Sequence, residues 1–192
     1  MGHREDLLEG AKKCLREKGY ARVTARDIVA ASHTNLASIG YHFDSKEALL
    51  NAALIDALRE WGEGVEKTLA GAGRLADAAE RYEAVWTDLI RLFATDRELC
   101  MANIEVLAQI DHVPSVRESL ADALEHGRGG LSQLFGATDQ QYDEPTARAV
   151  GSFYQALVTG VMVQWMIDPA HAPTGPDMTR ALQAIVAGTA RA

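Results

Sequence analysis

Cysteine is almost absent: Cys14 and Cys100 are the two in 192 residues, and no metal-ligand spacing surrounds either. A disulfide scaffold and a cysteine-based zinc site are therefore not expected, and a reducing cytoplasm suits the chain. Alternating runs of β-branched residues are also missing, so no sheet is expected. There is no glycine-rich phosphate loop after a strand, no HExxH and no nucleophile elbow, which argues against the commonest enzyme chemistries. "HGRGG" at 126–130 reads as an irregularity within a helix rather than a phosphate cradle. The first ten residues, "MGHREDLLEG", lack the apolar core of a signal peptide. The longest uncharged run, the 19 residues between Arg148 and Asp168, approaches spanning length. It contains Ser152, Gln155, Thr159 and Gln164 and has no basic flank, so a helix buried in protein is expected and no membrane partner.

What is present is hydrophobic content, at 47%, enough for a core without covalent staples. Charge is unevenly placed. Residues 1–50 carry a net +1 and the remainder −9, within a total of −8. A chain this acidic is a poor non-specific ligand for nucleic acid, so any DNA contact must belong to the N-terminal part.

The pattern is helical nearly throughout. Leu7, Leu8, Ala11, Cys14 and Leu15 predict a helix over about 4–18, stopped by Gly19. Thr24 with Asp27 three residues on predicts a capping box and a second helix carrying Ile28 and ending near Ser32. "HTN" reads as a turn with Asn35 as N-cap of a third helix over 36–43. Asp44 or Ser45 caps a fourth, which runs to about Leu69 before "AGAG". Five more are expected over about 74–95, 97–111, 115–135, 145–167 and 177–190, giving an all-α fold of about nine helices. It would comprise a three-helix N-terminal domain over 1–50 and a larger helical bundle over 51–192.

Two short helices joined by a three- or four-residue turn make a helix-turn-helix, whose second helix enters the major groove of DNA. Ile39 and Phe43 can face Ile28, which leaves Ala37, Ser38 and Tyr41 outward with His42 at the edge. Small residues allow close approach, Ser, Asn and His can bond base edges, and Tyr can reach a phosphate.

The run hydrophobic–x–Tyr–His–Phe–x–Ser–Lys–Glu–x–Leu, carried by Ile39, Tyr41, His42, Phe43, Ser45, Lys46, Glu47 and Leu50, resembles the TetR family of bacterial transcriptional repressors. Gly19, Thr24 and Ile28 match in the same order and spacing, so the likeness covers about residues 7–55. The resemblance implies DNA contacts from Asn35, Leu36, Ala37, Ser38, Tyr41 and His42, with Thr24 and Lys46 near phosphates. Both of the last two lie at helix N-termini, which favour anions. The chain departs from the family at His33, where glycine is usual, and at Gly40, often tyrosine. The turn residues His33 and Thr34 join the candidate set, His33 either strained or itself reaching the backbone, and Tyr41 takes over a contact that Gly40 removes. Leu36 has two readings, core by its spacing and DNA-facing by its family position.

The resemblance also implies a C-terminal domain that dimerises and binds a small effector. The helix over 145–167 is apolar on two faces: Phe153, Ala156, Gly160, Val163 and Ile167 on one; Tyr154, Leu157, Val161 and Trp165 on the other. One would cover the protomer's core and one a twin chain, joined by Met178, Leu182 and Ile185 of the last helix in a four-helix interface. Tyr82, Trp86, Leu89 and Phe93, with Met101 and Ile104, and with Tyr154 and Trp165, are the candidate pocket residues, although such stripes are more often core. Glu105 and Asp111 could meet a cationic ligand or face solvent. His112 and His126 lack ligand spacing, and neither a metal nor a cofactor is expected. The function expected is a cytoplasmic repressor released from an inverted-repeat operator by an effector. The alternatives are a helical interaction protein without DNA binding and a helical-bundle enzyme.

Overall fold

The computed structural model describes residues 3–69, 77–108, 110–111, 113–135 and 142–189. They form nine α-helices: α1 (His3–Lys18), α2 (Ala25–Ser32), α3 (Leu36–Phe43), α4 (Lys46–Leu69), α5 (Ala78–Thr95), α6 (Arg97–Leu107), α7 (Pro114–Leu134), α8 (Glu144–Ile167) and α9 (Gly175–Thr189). No strand occurs among the described residues. Three features differ from expectation. A 3-10 turn, Tyr20–Arg22, follows Gly19. α6 ends at Leu107 rather than 111, because the Ala108 N–H turns back to the carbonyls of Glu105 and Val106. α7 runs without a break through "HGRGG". The expected "AGAG" break, His112 and residues 136–141 of the loop before α8 lie outside the described residues.

The chain divides into two compact units, residues 1–62 with 96–123 and residues 63–95 with 124–192. In the first, α1 supplies Leu7, Ala11, Cys14 and Leu15 to a core shared with Ile28, Ile39, Phe43, the buried face of α4, Leu99 and Val106. Gly10 lets α1 lie against the end of α2, since a Cβ there would fall 2.7 Å from the Ser32 Cβ. Tyr20 donates to the Oδ1 of buried Asn51 at 2.6 Å, and the Trp61 indole N–H to Asp96 at 3.0 Å. Lys12 is 1% exposed, with its ammonium 2.9 Å from Asp56 and 2.7 Å from Glu60 and beside Glu9. Burial works against the charge, but the hydrogen bonds to Glu60, Glu9 and Asp56 outweigh it and hold the ammonium well above the usual lysine range.

In the second unit α5 packs on α8 and α9. Val85, Trp86, Leu89 and Phe93 are buried, as are Val161, Met162 and Met178. Asp143 caps α8 by accepting from the Thr146 N–H at 3.1 Å. Gly151 permits contact with α7, where a Cβ would sit 2.2 Å from the Arg128 carbonyl oxygen. α8 is long and apolar enough to cross a membrane by length and composition alone. Within the protomer 22% of its most apolar stretch is buried, and Phe153, Ala156 and Ile167 are exposed.

Candidate functional site

The helix-turn-helix rests on local hydrogen bonds that the sequence encodes. Thr24 accepts the Asp27 N–H at 3.2 Å, while its own N–H donates to the Asp27 carboxylate at 2.9 Å. Lys18 adds a contact at 2.6 Å to the same carboxylate. The Lys18 bond, followed by those from Thr24, holds the Asp27 carboxyl well below its usual range. α2 ends at His33 in the left-handed region, with φ 53° and ψ 35°, and the His33 N–H returns to the Val29 carbonyl. Asn35 then caps α3, its Oδ1 accepting from the Ser38 N–H at 3.1 Å and the Ser38 hydroxyl at 3.2 Å. Ser45 caps α4 through the Ala48 N–H at 3.0 Å.

Ile39 and Phe43 are buried with Ile28, which fixes the face that α3 turns outward. Leu36, Ala37, Gly40 and Tyr41 are exposed, and Ser38 and His42 are half-buried. Leu36 thus faces out and does not join the core. Tyr41 is 85% exposed and meets the His42 ring edge-on, centroids 4.8 Å apart. Nothing lies within 4 Å of a Cβ placed on Gly40. The outward face of α3 carries no carboxylate, so it can approach an anionic surface without direct repulsion.

Two candidates have part of their capacity committed. The Thr24 hydroxyl donates to Asp27 at 2.7 Å. The Lys46 ammonium donates to the Val23 carbonyl at 3.2 Å and pairs with Glu47 at 3.2 Å, which uses two of its three donors. His33 and Asn35 are exposed and Thr34 half-buried, its hydroxyl 2.7 Å from that of Ser32. Arg26, which sequence reasoning passed over, is exposed on the first turn of α2 and makes no ion pair among the described residues. Its signal in the sequence was the position alone, two residues after the cap.

The second unit holds a pocket of about 530 Å³ lined by Tyr82, Phe135, Tyr154, Leu182 and Val186 among others. Of the nine candidate pocket residues, Tyr82 and Tyr154 line it. Trp86 stands behind Tyr82 and Phe135, ring centroids 6.3 and 5.7 Å away, and is fully buried, as are Leu89 and Phe93 to within 1%. Met101, Ile104 and Glu105 are half-buried on α6, in the other unit. Trp165 is half-buried on α8 and not part of the pocket lining. Burial raises the Tyr154 hydroxyl to about 12, with Tyr82 and Tyr142 adding to it.

Of the candidate interface residues, Phe153, Ala156, Ile167 and Ile185 are exposed, and Gly160, Val163 and Leu182 are half-buried. Met178 differs: it is 9% exposed and turned into the protomer, because α9 lies on α5 along that side. Val186, exposed beside Ile185, was not anticipated.

The family model described as "Bacterial regulatory proteins, tetR family" matches residues 7–53, and "Tetracyclin repressor-like, C-terminal domain" matches 77–189. The HTH-type transcriptional repressor AcnR of Corynebacterium efficiens is 30% identical over 132 residues, 67% of this chain and 69% of that one. Among solved structures, a TetR transcription regulator from Haloarcula marismortui aligns with a TM-score of 0.62 at 19% identity, covering 95% of this chain and 93% of that one. A transcriptional regulator from Rhodococcus sp. Rha1 aligns at 0.65 and 19%, with 96% of each chain covered. At such identity the structures speak to the fold, and the family follows from the sequence matches across both units: this chain is a transcriptional regulator of the tetR family.

Proposed function

We propose that the protein is a cytoplasmic repressor that binds an inverted-repeat operator as a homodimer and leaves it when a small molecule enters the second unit. Residues 1–50 carry the DNA contacts; residues 51–192 serve dimerisation and effector binding. The observation that carries the reading is the outward face of α3, small and polar around Tyr41, presented by a capped turn whose strained residue, His33, is held by its bond to Val29. One such helix has too few base-reading side chains for useful specificity. Two, related by a twofold axis, enter successive major grooves about 34–36 Å apart.

Selection of binding sites from random DNA is the test. The expected product is an inverted repeat, and recovery of asymmetric single sites alone would reject the reading. Arg26→Ala is expected to weaken all sequences alike and to lower the salt slope by about one for each phosphate that Arg26 neutralises. Asn35→Ala and Ser38→Ala should instead relax the preference at particular base pairs, after allowing for the lost cap. A changed base preference in Arg26→Ala at constant salt slope would show that it reads bases. Lys46→Ala is a weaker probe, because it also releases Val23.

The twin chain would cover Phe153, Ala156, Gly160 and Ile167 of α8 together with Ile185 of α9. The pocket shares α9 with that face, through Leu182 and Val186. An effector acts only through differential affinity for the two dimer shapes, and a coupling of about 1–3 kcal/mol corresponds to roughly 5- to 150-fold release.

A further inference from the structure

The pocket of the second unit has two kinds of wall. From α9 come Leu182 and Val186, with Thr179 and Gln183; from the other elements come the rings of Tyr82, Phe135 and Tyr154. The Phe135 ring lies on that of Tyr154 at 3.8 Å and 10°, and it meets Tyr82 at 5.4 Å. Tyr82 and Tyr154 are 6.2 Å apart, so three ring faces and edges converge on one side of the space. Aromatic ligands gain stacking or edge contacts there beyond their buried area.

Charge narrows the choice. Arg81 is the one charged side chain among the described lining residues. It has a nearby counter-charge in Asp77, whose carboxyl is held below its usual range by the N–H groups of Glu80 and Ala79 and, further, by this guanidinium. No carboxylate lines the space among the described residues. A cationic ligand would lose its hydration and find no carboxylate, and an anionic one would have to compete with Asp77 for Arg81. Burial raises both the Tyr82 and the Tyr154 hydroxyl, so at neutral pH each remains an uncharged group able to donate or accept. The Tyr154 hydroxyl has no hydrogen-bond partner among the described residues.

We infer that the effector is an uncharged planar aromatic molecule with a single hydrogen-bonding edge, lying against Tyr82, Phe135 and Tyr154 with Leu182 and Val186 on its other face. The volume of about 530 Å³ is that of a pocket for a drug-sized ligand, so two or three fused rings fit with space to spare. The inference rests on the reading that a small molecule in this unit releases DNA.

Calorimetric titration of the full-length protein tests it, with five probes: 1-naphthol, its saturated counterpart decahydro-1-naphthol, 1-naphthoate, (1-naphthylmethyl)trimethylammonium and the flexible dodecan-1-ol. 1-Naphthol is expected to bind at least tenfold more tightly than the other four. Tyr154→Ala should weaken it tenfold or more, and Tyr154→Phe only a few-fold. Ala187→Trp fills the space from an exposed position on α9 and should abolish binding even if Tyr154→Ala fails to fold. Equal or tighter binding of the saturated alcohol, either ion or dodecan-1-ol overturns the aromatic assignment, as does no binding by any probe. Operator release is measured with the same set. Release by dodecan-1-ol alone keeps the effector reading and removes the aromatic one. Tight binding of 1-naphthol, blocked by Ala187→Trp, with no change in operator affinity keeps the aromatic site and removes the effector reading.

Discussion

Replacing Gly160 with leucine is expected to lower operator affinity by roughly 5- to 150-fold while leaving the protomer folded. Nothing lies within 4 Å of the Cβ that the substitution adds, so the protomer has room for it. Leucine also favours the helix by about 1 kcal/mol over glycine. If a twin chain packs on α8, the same side chain meets its counterpart across the axis, and overpacking costs about 1–3 kcal/mol. Separated protomers bind DNA with one helix-turn-helix each, and the cost imposed on the dimer passes to the operator complex, which is where the expected range comes from. Sedimentation velocity and gel-shift titration read the two effects independently. A variant that stays dimeric with unchanged affinity places Gly160 outside the interface, and one that loses helicity invalidates the comparison in favour of Ala156→Leu, on the same exposed face.

The second large effect concerns stability. Lys12→Met is expected to cost about 3 kcal/mol and to lower Tm by about 6–12 °C for a chain of this size. The figure is the low end for breaking a buried pair, because Glu9 and Glu60 remain partly in water at 69% and 43% exposure. The reason is the residue left behind: three carboxylates whose oxygens lie within 4.8 Å of one another lose the cation among them. Their proximity alone does not imply a metal, since Lys12 already supplies the counter-charge. The sign of the pH effect follows. In the parent chain Asp56 lies below its usual range; burial opposes this, and bonds to Lys12 and Arg59 outweigh burial. Its share of stability is present above the ordinary carboxylate range and is lost as pH falls through the depressed value. In the variant the mutual repulsion is relieved by protonation, so the stability gap between parent and variant should narrow from pH 7 toward pH 4. A gap that stays constant or widens would show that packing of the lysine stem, not charge, is what Lys12 contributes.

The local parts of the fold were legible because they are written within a few residues. Thr24 with Asp27 and Asn35 with Ser38 satisfy helix-end N–H groups, and both caps form. The spacing of Ile28, Ile39 and Phe43 located the small core of the helix-turn-helix. It left Leu36 open because position 36 falls between the core and DNA-facing stripes, and burial of Ile39 and Phe43 turns it outward. Lys12 was illegible: its partners Asp56 and Glu60 lie 44 and 48 residues away, and a lysine in a helix rich in both charges reads as solvated. The pocket was legible only in Tyr82 and Tyr154, for the same reason. The stripe Tyr82, Trp86, Leu89, Phe93 has one helical period but two fates, since Tyr82 meets Phe135 and α9 while the others are enclosed. Phe135 and Val186 come to the site through tertiary packing, which periodicity on α5 does not encode.

Gly40 has a consequence for how such a regulator changes over generations. It sits on the exposed side of α3 with open space around it, while the neighbours that anchor the helix, Ile39 and Phe43, are buried. A side chain gained there adds helix propensity and disturbs no packing. If α3 reads the operator as proposed, mutation at this codon would change which operators are bound with little penalty in folding, and duplicated copies of the gene could drift to new promoters in single steps. Position 40 is a natural place to diversify a library when the regulator is to be retargeted.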